Sequence, residues 1–278
     1  MYSIASLSIV IQGFVSLSTR DYWNLFKSPA DVPPDFTIEI LPQQIGRYGL
    51  ETLPLLEGEN RLVRNGSEVM LVNRDWTHCR ILAPENWDLA SAFLTMAFDT
   101  HAVQRRMVHL HCSTIADRGR GVLFLGPSGI GKTTQAERWR DFRGSLIING
   151  DMGYVQQTEQ GFTAWGTPWH GSSPYCENTS VPLKAMVVLK QAPFNQLREL
   201  SGFEKVQEIS GNVLYPQWME NGMELCLSTL DALLTGIPVY RLDNRADEEG
   251  VRLLAEELDR IAPPEEREKD GFPTSNKS

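Results

Sequence analysis

The segment Gly126-Pro-Ser-Gly-Ile-Gly-Lys-Thr133 constrains this chain more than any other feature. It fits G-x-x-x-x-G-K-[ST], follows the apolar run Val122–Leu125 and precedes a helix-forming stretch. That is the strand, loop, helix context in which such a loop wraps an anion. Its glycines let successive backbone N–H groups turn inward around phosphate oxygens, and the start of the helix adds partial positive charge. Lys132 is placed to reach the β- and γ-phosphates, and the Thr133 hydroxyl to hold Mg²⁺. The expected nucleotide-binding residues are therefore Gly126, Ser128, Gly129, Ile130, Gly131, Lys132, Thr133 and Thr134.

Phosphoryl transfer also needs a carboxylate that orients the metal or takes the proton of a hydroxyl acceptor. Asp151 is the candidate. It closes the run Leu146-Ile-Ile148-Asn-Gly-Asp151, close enough to Lys132 for only one short helix and one strand to intervene. In an open sheet this puts Asp151 at the same carboxyl edge as the loop. Metal ligand, general base, or both in turn all stay open for it. The expected metal set is Thr133 with Asp151.

Composition narrows the partners. The 278 residues carry 26 Lys plus Arg against 35 Asp plus Glu, a net charge of -9, which argues against a nucleic-acid partner. The excess is acidic at both ends, while 101–240 is balanced at 12 basic and 12 acidic residues, the least repulsive place for a phosphorylated ligand. Cys79, Cys112, Cys176 and Cys226 stand far apart with no C-x-x-C, so they read as buried thiols rather than a zinc site or disulfide frame. No run of eighteen apolar residues suggests a membrane span. The uncharged stretch Met1–Ser18 lacks a basic flank and reads as a buried strand over Ser3–Gln12, not a signal peptide. A cytoplasmic location is expected.

Periodicity supplies the rest. Strands are expected at Phe36–Leu41 and Thr77–Leu82, with a hairpin of Arg61–Arg64 and Glu68–Val72 about Asn65-Gly66. A helix is expected from Trp87 to His101. Val108–Thr114 and Gly121–Leu125 read as a hairpin or adjacent strands. A short helix over Gln135–Asp141, strands at Ser145–Ile148, Leu183–Leu189 and Pro238–Leu242, and helices over Met223–Leu234 and Glu248–Ile261 complete the reading. The expected organisation is a β-rich region over 1–100 ending in a helix, an α/β nucleotide domain over 101–261, and a disordered tail over 262–278. The block Gly166-Thr-Pro-Trp-His170-Gly-Ser-Ser-Pro-Tyr175 reads either as a turn with Trp169 plugging the core or as an active-site wall offering Ser172 and Ser173. His109 and His111 share a strand face, and Lys184, Arg241 and Arg245 are candidate phosphate clamps.

In order, His111-Cys-Ser, the glycine loop through Thr134, Ile148-Asn-Gly-Asp151, Gly166-Thr-Pro-Trp169 and Asn178-Thr-Ser-Val-Pro-Leu-Lys-Ala185 resemble the HPr kinase/phosphorylase group. These kinases share a wider fold with ATP-dependent phosphoenolpyruvate carboxykinases. The last two segments look like a bacterial subgroup that includes serine kinases acting on lasso peptides. The resemblance covers about 107–260 and implies a PEP carboxykinase-like α/β fold, ATP and Mg²⁺ as cofactors, and His111 near the reacting centre. Catalytic residues would then be Asp151, Lys132 and His111. Where these kinases carry two adjacent acidic residues after the loop, this chain has Gly150 and Asp151, which favours the metal role for Asp151. The chain carries no counterpart of the segment that engages HPr, so the expected acceptor is a Ser or Thr of another peptide or small protein. A homo-oligomer is also implied as an option. The alternatives are a nucleotide-binding regulatory or scaffold protein of a peptide-modification pathway and, further off, carboxykinase chemistry on oxaloacetate.

Overall fold

A computed structural model describes residues 1–13, 21–29, 32–41, 55–65, 68–82 and 87–261. The expected disordered tail, and Gly66 of the expected turn, lie outside the described residues. The architecture is mixed α/β with two sheets.

The first sheet holds six strands in the order β1-β2-β3-β6-β5-β4. They are β1 (Tyr2–Ile4), β2 (Leu7–Gly13), β3 (Phe36–Leu41), β4 (Asn60–Asn65), β5 (Glu68–Asn73) and β6 (His78–Leu82). The expected single strand over Ser3–Gln12 is instead a tight antiparallel hairpin: Ile4 pairs with Leu7, and Ala5 turns the chain at φ 51°. Alternation decides which face is buried. Ile9, Ile38, Ile40, Met70, Val72 and Ile81 face inward, each 1% exposed or less. They meet the short helix α1 (Asp21–Asn24) through Trp23, and α2 (Trp87–Gln104) through Phe93, Ala97 and Phe98.

The second sheet is built on β7 (Met107–Asp117) and β8 (Arg120–Leu125), an antiparallel hairpin. All six residues of β8 are buried, as a strand covered on both faces requires. The helix α3 (Lys132–Arg143) starts at the glycine loop itself, three residues earlier than its apolar pattern suggests. Then come β9 (Leu146–Asn149), β10 (Met152–Thr158), β11 (Gly161–Trp165), β12 (Ser180–Gln191), β13 (Gln196–Glu199), α4 (Phe203–Ile209), α5 (Gly222–Gly236), β14 (Val239–Asn244) and α6 (Glu248–Ile261). The order is β11-β10-β7-β8-β12-β14-β13, with β9 on β7 and an added pairing of β11 with the start of β12 that curls the sheet back on itself. β8, β12 and β14 run parallel.

One face buries Leu123, Leu125, Met186 and Val188 against Leu230 and Leu233 of α5. The other buries Val122, Phe124, Val187 and Leu242 against Trp139 of α3 and Val251, Leu254 and Leu258 of α6. Each large side chain so buried contributes roughly 1.5–3 kcal/mol. The docking of α3 through fully buried Trp139 therefore fixes where the glycine loop leaves the sheet. No described helix is long and apolar enough to cross a membrane.

Candidate functional site

Three neighbouring strands bring the site to one level. Leu125, the last residue of β8, pairs with Cys112 of β7, and the Cys112 N–H donates to the Asp151 carbonyl at 3.0 Å. Asp151 thus lies level with the root of the glycine loop, although 25 positions later in the chain. β8 and β9 both run antiparallel to β7 and hence in the same direction, so Asp151 follows the carboxyl end of β9 at the edge where the glycine loop leaves β8. β9 and β10 both pair antiparallel with β7, and the break between them at Gly150–Asp151 frees the carboxylate from the ladder.

The loop has the backbone an anion cradle needs. Gly126, Gly129 and Gly131 sit at φ 139°, 78° and 105°, in the region that L side chains rarely adopt. The Gly126 N–H is spent on Asn212 Oδ1 at 2.9 Å, and that of Ile130 on the Pro127 carbonyl at 3.2 Å. The N–H groups of Gly129, Gly131, Lys132, Thr133 and Thr134 donate to no protein group among the described residues. The first turn of a helix leaves such donors for a ligand. Ser128 is exposed beside them.

Lys132 is 6% exposed, and its Nζ donates to the Gly126 carbonyl at 3.1 Å and the Pro127 carbonyl at 3.4 Å. Burial pulls its pKa below the ordinary lysine value, while the charge of Asp151 and the Cys112 thiol oppose that shift. Burial in turn pushes Cys112 up to about 12, so it stays a neutral thiol. Thr133 Oγ1 donates to the Gly150 carbonyl at 3.1 Å, where Ser113 Oγ also donates at 2.8 Å.

Two residues missed as site residues brace the site, Asn149 at Asp151 and Asn212 at the glycine loop. Asn149 Oδ1 accepts from the N–H groups of both Asp151 and Met152 at 2.9 Å, while its Nδ2 donates to the Trp169 carbonyl at 2.9 Å. Asn149 was in view as part of Asn-Gly-Asp. Asn212 gave no sequence signal, because its partner lies 86 positions away. One carboxylate oxygen, Oδ1, lies 3.0 Å from His111 Nε2. The other lies beneath Gly171, whose added Cβ would sit 2.2 Å from Oδ2.

The 166–175 block is both core plug and site wall. Trp169 is 6% exposed and packs on Trp23, Phe98 and Tyr154. Ser173 is buried and fills the space over Gly150, whose added Cβ would sit 1.8 Å from Ser173 Oγ. Ser172 is exposed, and His170 Nδ1 bonds the Ser173 carbonyl. We expect Gly150→Ala to destabilise the fold by about 1–3 kcal/mol through this overlap. Adding Ser173→Gly should recover at least about half of that loss, as read from urea denaturation midpoints.

The other candidates scatter. Arg245 lines a cleft of about 410 Å³ with Gly129, Ile130, Gly131, Thr134 and Gln191 on the outer side of the loop, and it pairs with Asp247 and Glu249. Arg241 is held by Asp243 at 2.7 Å. Lys184 stands at the far end of the sheet, next to Leu183, which pairs with the beginning of β8. His109 is buried in a separate cluster with Asp99 and Tyr154, and Tyr154 OH donates to Asp99 at 2.5 Å. All four cysteines are free and buried.

The site fits a magnesium nucleotide on its own donors. Open amides, one lysine, one hydroxyl and one partly exposed carboxylate suit phosphate oxygens and a Mg²⁺ that keeps much of its shell on phosphate and water. Among the described residues no group of three or more His, Cys, Asp or Glu is placed to hold a metal by protein ligands alone.

No family model matches the chain, and no curated protein matches its sequence. Among the solved structures similar to it is the Hpr(Ser) kinase/phosphatase from Coxiella burnetii. That match has 14% identity and a TM-score of 0.33, covering 59% of this chain and 99% of that one.

Proposed function

We propose that the chain is an ATP- and Mg²⁺-dependent phosphotransferase that moves the γ-phosphoryl group to a hydroxyl, with a Ser or Thr of a peptide or small protein as acceptor. The observation that carries this reading is a loop of open amides with Thr133 bonded to the carbonyl of Gly150, the residue before Asp151, and with Lys132 close enough to Asp151 to feel its charge. Bound MgATP would supply the transferable group and the divalent charge that offsets its oxygens. The loop amides and Lys132 hold the phosphates where negative charge gathers, which is electrostatic and positional catalysis. Thr133 and Asp151 hold the metal. Asp151 is also the carboxylate set to take the hydroxyl proton, with His111 steering Oδ1. The acceptor oxygen bonds to phosphorus, and the bridging oxygen leaves with its electron pair as ADP.

One observation favours a second reading, a nucleotide-binding regulatory or scaffold protein. Ser173 closes position 150 to any second carboxylate. Incubation with γ-labelled ATP and a serine peptide library separates the two. Label on serine that EDTA abolishes and Mg²⁺ restores supports the phosphotransferase. Tight ATP binding with no labelled product supports the scaffold.

A further inference from the structure

On the opposite side of Asp151 from the glycine loop lies a cavity that phosphate binding leaves unused. It has a volume of about 410 Å³ and is walled by Tyr22 and Trp23 of α1, Ser91 and Thr95 of α2, and Trp169 and His170. Met152 and Gly171 also line it and join it to the carboxylate: Met152 is the next residue in the chain, and Gly171 lies over Asp151 Oδ2. Thr133 reaches Gly150 from the loop side. Asp151 therefore lies directly behind the Met152 and Gly171 side of the cavity.

The lining sets the chemistry. No Asp, Glu, Lys or Arg is among the described residues that line it, so a charged side chain lodged there would lose hydration with no partner among them. The walls are aromatic and mutually braced. Trp23 meets Trp169 edge-on at 5.7 Å between ring centroids, Tyr22 meets His170 edge-on at 4.4 Å, and Phe98 backs Trp169 at 5.0 Å. Such a pocket is preformed for one large apolar side chain. The Ser173 carbonyl only accepts, so His170 Nδ1 carries the proton of that bond and a neutral ring leaves Nε2 as an acceptor. A peptide sets a side chain against the aromatic rings while its backbone can meet the polar groups of Ser91, Thr95 and His170.

We propose that this cavity is the acceptor pocket. It takes an aromatic or large aliphatic side chain adjacent to the Ser or Thr of an uncharged peptide segment, and thereby delivers the hydroxyl to Asp151. The acceptor role rests on the phosphotransferase reading; the cavity's preference for uncharged apolar peptides does not.

Ala92 is exposed on α2 at the cavity wall, so Ala92→Trp fills the space without disturbing the core. The test measures binding of end-blocked pentapeptides Ala-Phe-Ser-Ala-Ala and Ala-Ala-Ser-Phe-Ala to the full chain with Mg²⁺ and a nonhydrolysable ATP analogue. Versions with Glu or Lys in place of Phe serve as comparisons. The expected result is at least about tenfold tighter binding of a Phe peptide than of its charged counterparts. Ala92→Trp should weaken that binding about tenfold or more while leaving the nucleotide Kd within about twofold, and Ala92→Ser should bind as the parent does. Unchanged peptide binding in Ala92→Trp, no peptide binding by the parent, or a preference for charged peptides or a free polyol overturns the proposal. Binding that Ala92→Trp blocks, with no label passing to serine from γ-labelled ATP, upholds the peptide pocket and overturns the phosphotransferase reading instead.

Discussion

Lys132→Ala and Asp151→Asn are each expected to lower phosphoryl transfer by about 10³-fold or more, for different reasons that separate in the kinetics. Lys132 stands at the loop and the head of α3, nearly buried and tied to the loop's own carbonyls. Its removal takes away charge that phosphate oxygens meet in both ground and transition states, so ATP affinity and rate fall together. The fold should hold, because the variant also removes a buried charge that burial disfavours. Asp151→Asn keeps the shape beneath Gly171 and a hydrogen-bonding partner for His111, yet removes the negative charge. Nucleotide binding should change little without Mg²⁺ while the rate collapses. Single-turnover transfer from labelled ATP, alongside calorimetric ATP binding, reads both effects. Transfer at the parent rate in either variant would falsify the assignment.

Asp117→Ala is expected to destabilise the chain by about 3–5 kcal/mol, the cost of stripping the partner from buried cations. Asp117 is 1% exposed at the end of β7 and accepts from Arg143 Nη2 at 2.8 Å, Ser145 Oγ at 2.8 Å and Arg120 Nη2 at 3.3 Å. Arg120 also meets Asp259 of α6 at 2.8 Å. This carboxylate thus joins the β7–β8 hairpin to the end of α3 and to α6. Burial alone would raise its pKa; the bonds from Arg143 and Ser145 and the nearby guanidinium charges outweigh that and hold it below the ordinary aspartate value. A lowered folded pKa gives stability that is complete above the unfolded value of about 4 and is lost as pH falls toward and through the folded value. Urea midpoints measured from pH 7 down to pH 3 should fall less steeply for Asp117→Asn than for the parent.

What was legible in the sequence was local. The glycine loop, its flanking strand, the hairpin of β4 and β5, and the apolar face of α6 each announce themselves within a dozen residues, and the structure has them. The β1–β2 hairpin hid because its turn uses Ala5 at positive φ, where sequence reading looks for Gly or Asn. β10, β13 and α4 hid because their order comes from pairing and packing with distant elements rather than from their own periodicity. The level of Asp151 followed the same logic: it is set by Cys112, 39 positions earlier. The 166–175 block was conspicuous by composition. That Ser173 occupies the space above Gly150, and that Gly171 roofs Asp151, depend on a fold that brings two segments together.

The most direct test of the central claim is a crystal structure of the full chain with Mg²⁺ and a nonhydrolysable ATP analogue. The expected map has the phosphates within hydrogen-bond distance of the N–H groups of Gly129, Gly131, Lys132, Thr133 and Thr134 and of Lys132 Nζ, and the metal near Thr133 and Asp151. Nucleotide density elsewhere, or a metal coordinated without Asp151, would contradict it.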